Sequence, residues 1–270
     1  MEIKTYNLWD NTPGMCEEIP KITHYPAKEK DGKKSSWTII ILPGGGYSGR
    51  AKHEGEGYAK FLSENGVNSF VVDYRVFPHR FPLPLLDARR AVRFVRYYAE
   101  KFGVDKDKVA IMGSSAGGHL AALTSTYYEK IDFEDIDAID KEDFLPNAQI
   151  LCYPVIKLLG KGQAHLGSGQ CLLGENHAIM GEELSPNLIA TKKTPKAFIW
   201  HTFEDSAVPV GNSLDYAKKL KELNVDVELH IFPNGHHGLG LCLDENNNEP
   251  YYLHVKQWGN LLINWLSYNE

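Results

Sequence analysis

The stretch that decides the fold is MGSSAGGHLAA, residues 112–122. Within it, Gly113, Ser115 and Gly117 match the pattern G-x-S-x-G, which marks a serine nucleophile in one class of hydrolases. The neighbouring Ser114 does not fit the pattern, because neither of its partner positions is a glycine. Ser115 is therefore the candidate nucleophile. The alternative for Ser115 is a common helix N-cap serine, which does not require the paired glycines.

The surroundings of this pattern are more specific than the pattern itself. The apolar residues 108–115 predict a strand that enters the turn, and the alanine-rich residues 116–128 predict a helix that leaves it. A strand, a sharp turn and a helix around G-x-S-x-G form a nucleophile elbow, which exposes a strained serine above a sheet. The N–H of Ala116 would then lie at a helix N-terminus, where negative charge is favoured.

Outward from the elbow, short apolar strands alternate with amphipathic helices. Further strands are predicted at residues 37–43, 67–75, 148–154, 196–201 and 225–232, and further helices at residues 56–65, 83–103, 213–224 and 251–268. This alternation is typical of an α/β fold with a mostly parallel sheet covered by helices on both faces. We expect the first 35 residues to add one or two edge strands.

Two segments interrupt the alternation. Residues 129–143 are rich in acidic side chains and are expected to form solvated surface structure. Residues 155–190 are too long for a plain connection, and such an insertion after a strand of an open α/β sheet tends to overhang the site. We therefore expect a single domain over residues 1–270, with residues 155–190 as a small lid.

Composition and charge exclude several classes of partner. The chain of 270 residues is 43% hydrophobic and 24% charged, which is ordinary for a globular protein. Its net charge of −6 disfavours a nucleic-acid or anionic-membrane surface, because both need clustered basic side chains. The one basic cluster, RRAVRFVR at residues 89–96, has helical spacing and is expected to be a solvated helix face.

The sequence also carries signs of location. No apolar run approaches 18 residues, and the acidic, polar start lacks the features of a signal peptide. The four cysteines, Cys16, Cys152, Cys171 and Cys242, are scattered and are expected to be free thiols. These observations predict a cytoplasmic protein without a membrane partner.

A glycine-rich stretch, ILPGGGYSG at residues 41–49, admits two interpretations. Gly44, Gly46 and Gly49 fit G-x-G-x-x-G, and Asp73 ends the next strand, as in a dinucleotide site. The fit fails in detail, because the following residues are charged and interrupted by glycine, and Pro43 lacks a backbone donor. The alternative is a loop that presents bare backbone N–H groups to a developing oxyanion.

A serine nucleophile needs a base and an acid that orients the base. The segment FPNGHHGLG, residues 232–240, offers His236 and His237, and IWHTFEDSAVP, residues 199–209, offers Glu204 and Asp205. Serine, acid and histidine then follow one another in the chain order of the α/β-hydrolases. The order alone leaves both pairs open, and a turn acid or a solvated loop histidine is the alternative at each position.

Five motifs in order, LPGGGY, GSSAGGHLAA, ILCYPV, FIWHTFEDSAVPV and GHHG, resemble α/β-hydrolase esterases of the acetyl xylan or carbohydrate acetyl esterase type. These enzymes are related to the hormone-sensitive-lipase and prolyl-oligopeptidase branches. The resemblance implies an α/β-hydrolase fold with a mostly parallel sheet of about eight strands. Its D-x-x-V-P and H-G motifs select Asp205 and His237. Its glycine loop implies oxyanion donors at Gly45 and Gly46, together with Ala116.

The resemblance implies a serine esterase that removes acetyl groups from xylan or xylo-oligosaccharides through an acyl-enzyme. The short lid, which has no long apolar cap for a fatty chain, predicts a preference for small acyl groups. We expect substrate contacts from Tyr47 and His201, although strand termination explains His201 equally well. His119 is expected to pack behind the elbow.

No cofactor is expected, and no metal, because His53, His165 and His177 are isolated. The partner is a small-molecule or oligosaccharide ester, and a homo-oligomer is left open. The alternatives are a small amidase such as an aryl-formamidase, a binding module without catalysis, and a dinucleotide enzyme.

Overall fold

The central element is an eight-stranded sheet, seen in a computed structural model that describes residues 2–14, 19–30, 32–131, 136–242 and 249–270. The strands lie in the order β1-β2-β4-β3-β5-β6-β7-β8. Strands β3 to β8 are parallel, whereas β1 and β2 are antiparallel additions at one edge. Their bounds are β1 Lys4–Asn7, β2 Lys21–Tyr25, β3 Thr38–Leu42, β4 Asn68–Asp73, β5 Val109–Ser114, β6 Ala148–Cys152, β7 Lys196–Thr202 and β8 Val227–Phe232.

Helices cover both faces of this sheet. They are α1 Lys52–Glu64, α2 Leu83–Tyr97, α3 Ala99–Phe102, α4 Ser115–Thr126, α5 Leu166–Leu173, α6 His177–Met180, α7 Pro186–Ile189, α8 Gly211–Glu222, α9 Pro250–Lys256 and α10 Trp258–Tyr268, with 3₁₀ turns at Ile139–Lys141 and Gly174–Asn176.

The central strand β3 shows why the sheet is covered on both faces. All five of its residues are buried. Ile40 packs in one hydrophobic cluster with side chains of α2 and α4, whereas Ile39 and Ile41 pack in a second cluster with α1 and α10. Because successive side chains of a strand point to opposite faces, only an apolar run satisfies both clusters. The predicted α/β class and the edge strands are thereby confirmed.

Helix boundaries differ from the prediction in three places. The predicted helix over residues 83–103 is broken at Tyr98, and the last helix is broken at Gln257. Helix α1 begins at Lys52, although the sequence there is charged and carries two glycines. Gly55 lets α1 pack closely on the sheet, because a Cβ there would lie 3.1 Å from both Pro43 and Val71. The predicted start of this helix at Glu56 is therefore four residues too late.

The basic cluster on α2 is not a solvated face. Arg89, Arg90, Arg93 and Arg96 are all buried, with exposed fractions between 0% and 8%. Arg90 pairs with the carboxylates of Asp137 and Asp140, and the others donate hydrogen bonds to backbone carbonyls of the acidic segment. Guanidinium groups satisfied in this way tolerate burial. The arginines therefore anchor the described part of residues 129–143, while residues 132–135 lie outside the description.

The structure tests the predictions about location and about free thiols only in part. None of the described helices has the length and hydropathy that a membrane span needs. The cytoplasmic location stays a prediction. Cys152, Cys171 and Cys242 are free thiols, whereas Cys16 lies outside the described residues.

A buried ion pair ties the end of β4 to α2 and to the amino-terminal segment. The Asp87 carboxylate accepts three hydrogen bonds from Arg75, at 2.8–2.9 Å, and one from Trp9 Nε1 at 2.8 Å. Both charged side chains are fully buried. Each buried charge is therefore compensated by the opposite charge of the other.

We expect Asp87→Ala to lower the free energy of unfolding by about 3–5 kcal/mol, because it leaves the Arg75 guanidinium buried and unpaired. Urea unfolding monitored by tryptophan fluorescence measures this change. The matched control is Asp107→Ala on the exposed loop before β5, which should stay within about 0.5 kcal/mol of wild type. An equal effect of the two substitutions would contradict the structural role of the pair.

Candidate active site

The turn between β5 and α4 has the geometry of a nucleophile elbow. Ser115 has a φ of 53°, in the left-handed region that side chains rarely adopt. A Cβ on Gly113 would lie 2.1 Å from the Gly117 carbonyl oxygen, and one on Gly117 would lie 2.1 Å from the Leu42 carbonyl oxygen. Both glycines are therefore required for the bend to form, as the G-x-S-x-G pattern predicts.

Three side chains meet at the carboxyl edge of the sheet. The Ser115 hydroxyl oxygen lies 2.8 Å from His237 Nε2, and His237 Nδ1 lies 2.6 Å from Asp205 Oδ2. They follow β5, β8 and β7, respectively, so the parallel sheet brings together residues that are far apart in sequence. In such a line the imidazole can take the serine proton at Nε2 while the carboxylate holds the proton on Nδ1.

The geometry decides between the two candidate histidines and between the two candidate acids that the chain order leaves open. His236 is exposed, and its Nδ1 lies 2.7 Å from the carbonyl oxygen of His237. Glu204 is also exposed and accepts a hydrogen bond from Asn234 at 2.8 Å. It is His237 and Asp205 that lie in line with Ser115.

The environment of Asp205 favours its charged form. Burial alone would raise the pKa of this carboxyl, but hydrogen bonds from His201 and His237, the attraction of His237 and the N–H of Val208 outweigh it. The pKa of Asp205 therefore lies well below its usual range. Its Oδ1 accepts N–H groups of Ala207 and Val208 at 3.0 and 2.9 Å, which fix the side chain.

His201 is a partner of Asp205 inside the protein. It is fully buried, and its Nε2 lies 2.9 Å from the Val208 carbonyl oxygen and 3.2 Å from Asp205 Oδ2. A nitrogen facing a carbonyl must carry a proton, so Nε2 is a donor, and Nδ1 lies 2.8 Å from the Ser213 hydroxyl oxygen. The expectation that His201 lines the substrate pocket is contradicted by this burial.

Tyr47 is likewise enclosed, which contradicts the expected substrate contact. Its exposed fraction is 0%, and its hydroxyl lies 2.7 Å from His119 Nδ1. His119 Nε2 faces the Leu184 carbonyl oxygen at 2.8 Å and therefore donates to it. Burial lowers the pKa of His119 to about 4, which keeps the ring neutral. These contacts link the glycine-rich loop, helix α4 and residues 155–190.

The candidate oxyanion donors follow Gly44 and Ser115 directly in the chain, and Gly44 lies beside the serine. Gly45 and Gly46 have φ values of 137° and 64°, and a Cβ on the preceding Gly44 would lie 3.1 Å from the Ser115 Cβ. Across the described ranges, the N–H groups of Gly45 and Gly46 have no backbone acceptor. Ala116 is buried in the first turn of α4. The oxyanion roles of all three stay predictions.

The same loop argues against a dinucleotide site. The N–H of Gly44 donates to the buried Glu54 carboxylate at 2.7 Å, so a carboxylate occupies the place that a phosphate would need. Asp73, the candidate ribose acid, lies 3.8 Å from the Arg50 guanidinium. Within the described ranges, no cluster of three or more His, Cys, Asp or Glu side chains is arranged to hold a metal.

Two residues that interact with His237 were not predicted from the sequence. The ring of Tyr153, which follows β6, meets the His237 ring edge to face at 5.1 Å between centroids. His165 is the N-cap of α5, and the Ser168 N–H donates to its Nδ1 at 3.2 Å. Burial, and secondarily the charge of His237, lower the pKa of His165. The motif ILCYPV pointed to Tyr153, whereas nothing local marks His165.

The comparison with protein families agrees with this site. The family model described as BD-FAE matches residues 24–220. The chain belongs to the BD-FAE family. The resemblance to carbohydrate acetyl esterases, stated from five motifs, is thereby confirmed.

Two relatives of this BD-FAE member carry names from xylan breakdown. Endo-1,4-β-xylanase B of Butyrivibrio fibrisolvens is 37% identical over 77% of this chain and 33% of its own length. An acetylxylan esterase of Xylanibacter ruminicola is 32% identical over 76% of this chain and 42% of its own length. The chain thus spans about a third to two fifths of these relatives.

Solved structures resemble the whole chain. The acetyl ester-xyloside bifunctional hydrolase of Caldicellulosiruptor lactoaceticus has a TM-score of 0.87 and 40% identity, over 98% of this chain and 95% of its own. The carboxylesterase Cest-2923 of Lactobacillus plantarum has a TM-score of 0.80 at 23% identity, which bears on the fold alone. The comparisons confirm the α/β-hydrolase fold and the esterase class of enzyme.

We expect Gly117→Ala to destabilise the protein by about 3 kcal/mol or more, because the new Cβ would collide with a backbone oxygen. Chemical unfolding measures the loss. The matched control is Gly57→Ala on α1, where a Cβ meets nothing within 4 Å, and where alanine should stabilise the helix by up to about 1 kcal/mol. A Gly117 variant as stable as wild type would contradict the tight elbow.

Proposed function

We propose that this protein is a serine esterase that hydrolyses short-chain acyl esters and removes acetyl groups from xylan or xylo-oligosaccharides. The observation that carries the proposal is the hydrogen-bonded line from Ser115 through His237 to Asp205, above an elbow. The family and the names of two relatives support the acetyl-xylan substrate class.

In the first half of the reaction, Ser115 attacks the ester carbonyl while His237 Nε2 removes its proton. Asp205 holds the proton on Nδ1 and stabilises the imidazolium that forms. The low pKa of Asp205 suits this role, because the carboxylate stays ionised at neutral pH.

Negative charge then develops on the carbonyl oxygen of the tetrahedral intermediate. The N–H groups of Gly45, Gly46 and Ala116 would receive it, and the first turn of α4 adds its positive dipole end. Because these donors are held by the backbone, they need little reorganisation as charge appears. Loss of one such donor typically costs about 10²–10³ in rate.

To complete this first half, the tetrahedral intermediate collapses: the carbon–oxygen bond to the sugar breaks, and His237 gives its proton to the departing sugar oxygen. The acyl group remains on Ser115 until water, activated by the same imidazole, attacks it. The products are a free carboxylic acid and a free hydroxyl on the carbohydrate.

The preference for small acyl groups rests on residues 155–190. Their helices α5, α6 and α7 have only 8, 4 and 4 residues, which offers little apolar wall for a fatty chain. The segment begins tightly at the elbow, where the Val155 N–H donates to the Ser115 carbonyl oxygen at 3.0 Å. We propose that it acts as a short lid over the acyl site.

An exposed aromatic side chain suits the carbohydrate part of the substrate. The Phe77 N–H donates to the Tyr47 carbonyl oxygen at 2.7 Å, so Phe77 lies directly beside the glycine-rich loop. Half of Phe77 is exposed, although burial is the norm for a phenylalanine. We propose that its ring offers apolar contact to a sugar next to the ester.

We expect Ser115→Ala to lower kcat/KM for acetylated xylo-oligosaccharides by at least about a thousandfold, because the nucleophile is lost. Exposed Ser267→Ala is the matched control and should leave it unchanged. Wild type should also hydrolyse p-nitrophenyl acetate faster than p-nitrophenyl palmitate.

Each part of this assay has an outcome that would contradict the proposal. Activity retained by Ser115→Ala would refute the nucleophile. Faster cleavage of the palmitate would refute the small acyl site. Faster cleavage of N-formyl aryl amides than of any acetyl ester would assign the protein to the aryl-formamidases instead.

A further inference from the structure

A buried carboxylate outside the triad connects two catalytic loops. Glu54 on α1 is only 3% exposed, and its two oxygens have different partners. Oε2 accepts the Gly44 N–H at 2.7 Å, and Oε1 accepts the Tyr153 hydroxyl proton at 2.6 Å. A buried carboxyl group is costly unless its oxygens are satisfied, so this pair of contacts defines where Glu54 sits.

Tyr153 extends the connection toward the histidine. Its hydroxyl oxygen accepts the Gly240 N–H at 2.9 Å, three residues after His237. Its ring also packs against the His237 ring. Burial and the nearby Glu54 raise the pKa of Tyr153 well above its usual range, so its hydroxyl remains a donor to the carboxylate.

A branch of the same network reaches the elbow. The Tyr58 hydroxyl lies 3.2 Å from the Tyr153 hydroxyl and 2.9 Å from the Ser114 hydroxyl. Tyr58 is fully buried on α1, one helical turn beyond Glu54. The network therefore reaches the residue before the nucleophile as well as both loops.

We propose that Glu54 is a positioning residue for the esterase reaction, which holds the oxyanion loop and the His237 loop in fixed relation to Ser115. The inference rests on the proposed function, because it concerns the same site. Glu54 lies behind the glycine-rich loop and acts through Gly44 and Tyr153. Its loss should displace the oxyanion donors and the imidazole and so slow the chemical step.

A displacement of about 1 Å in such a site costs on the order of a hundredfold in rate. We therefore expect Glu54→Ala to lower kcat by about 10- to 100-fold and to leave KM within about threefold. Glu54→Gln should fall between this variant and wild type, because its amide keeps one acceptor for Gly44. The matched control is Glu56→Gln on the same helix, whose carboxylate pairs with the exposed Lys52 and Lys60 and should not affect kcat.

Tyr153→Phe provides a second route, which keeps the proposal testable if Glu54→Ala does not fold. It removes the bridging hydroxyl but leaves the Gly44 contact, and we expect about a tenfold loss of kcat at unchanged KM. The rate at which p-nitrophenyl phosphonates modify Ser115 should fall in parallel, because that reaction uses the same donors and base. If Tyr153 had a purely structural role, the substitution would lower the unfolding temperature without lowering both kcat and the phosphonylation rate.

Failure of the positioning role and failure of the proposed function would give different results. If wild type is active but Glu54→Gln and Tyr153→Phe match it in kcat and in phosphonylation rate, the positioning role is refuted while the proposed function stands. If wild type shows no ester hydrolysis that depends on Ser115, both proposals are refuted.

Discussion

The sharp bend at Ser115 is the constraint on which the rest of the site depends. Its positive φ raises the hydroxyl above the sheet, and the bend closes only because Gly113 and Gly117 let backbones approach within contact distance. Close packing against the end of β3 also places the glycine-rich loop beside the serine. One backbone feature therefore sets the positions of both the candidate nucleophile and the candidate oxyanion donors.

Polar contacts behind the bend hold each participating loop. His201 and two backbone N–H groups fix Asp205, and His119 joins the glycine-rich loop to Leu184. Glu54 and Tyr153 join that loop to the segment that carries His237. Buried polar groups that are satisfied in this way are rigid, because breaking any one contact leaves a desolvated partner. Such rigidity suits a site that must stabilise charge without rearranging.

Much of this architecture can be predicted from local sequence patterns. The elbow, each strand and helix, and the motifs that hold the serine, the acid and the histidine can each be recognised from a few neighbouring residues. What the sequence could not show depends on partners far along the chain: Glu54 meets Tyr153 from 99 positions away. The arginines of α2 were predicted to form a solvated face for the same reason. The carboxylates and carbonyl groups that contact them belong to a segment far along the chain. Tyr47 in the glycine-rich loop and His201 in β7 lie close to the site, but their side chains contact buried protein groups that the sequence did not reveal.

The most direct test of the account is a crystal structure of the protein after reaction with a p-nitrophenyl alkylphosphonate, a mimic of the tetrahedral intermediate. We expect phosphorus bonded to Ser115 Oγ, with His237 beside it. We also expect the phosphonyl oxygen to lie about 3 Å from the backbone nitrogens of Ala116 and of Gly45 or Gly46. Phosphorus on any other side chain, or a phosphonyl oxygen turned to solvent, would contradict it.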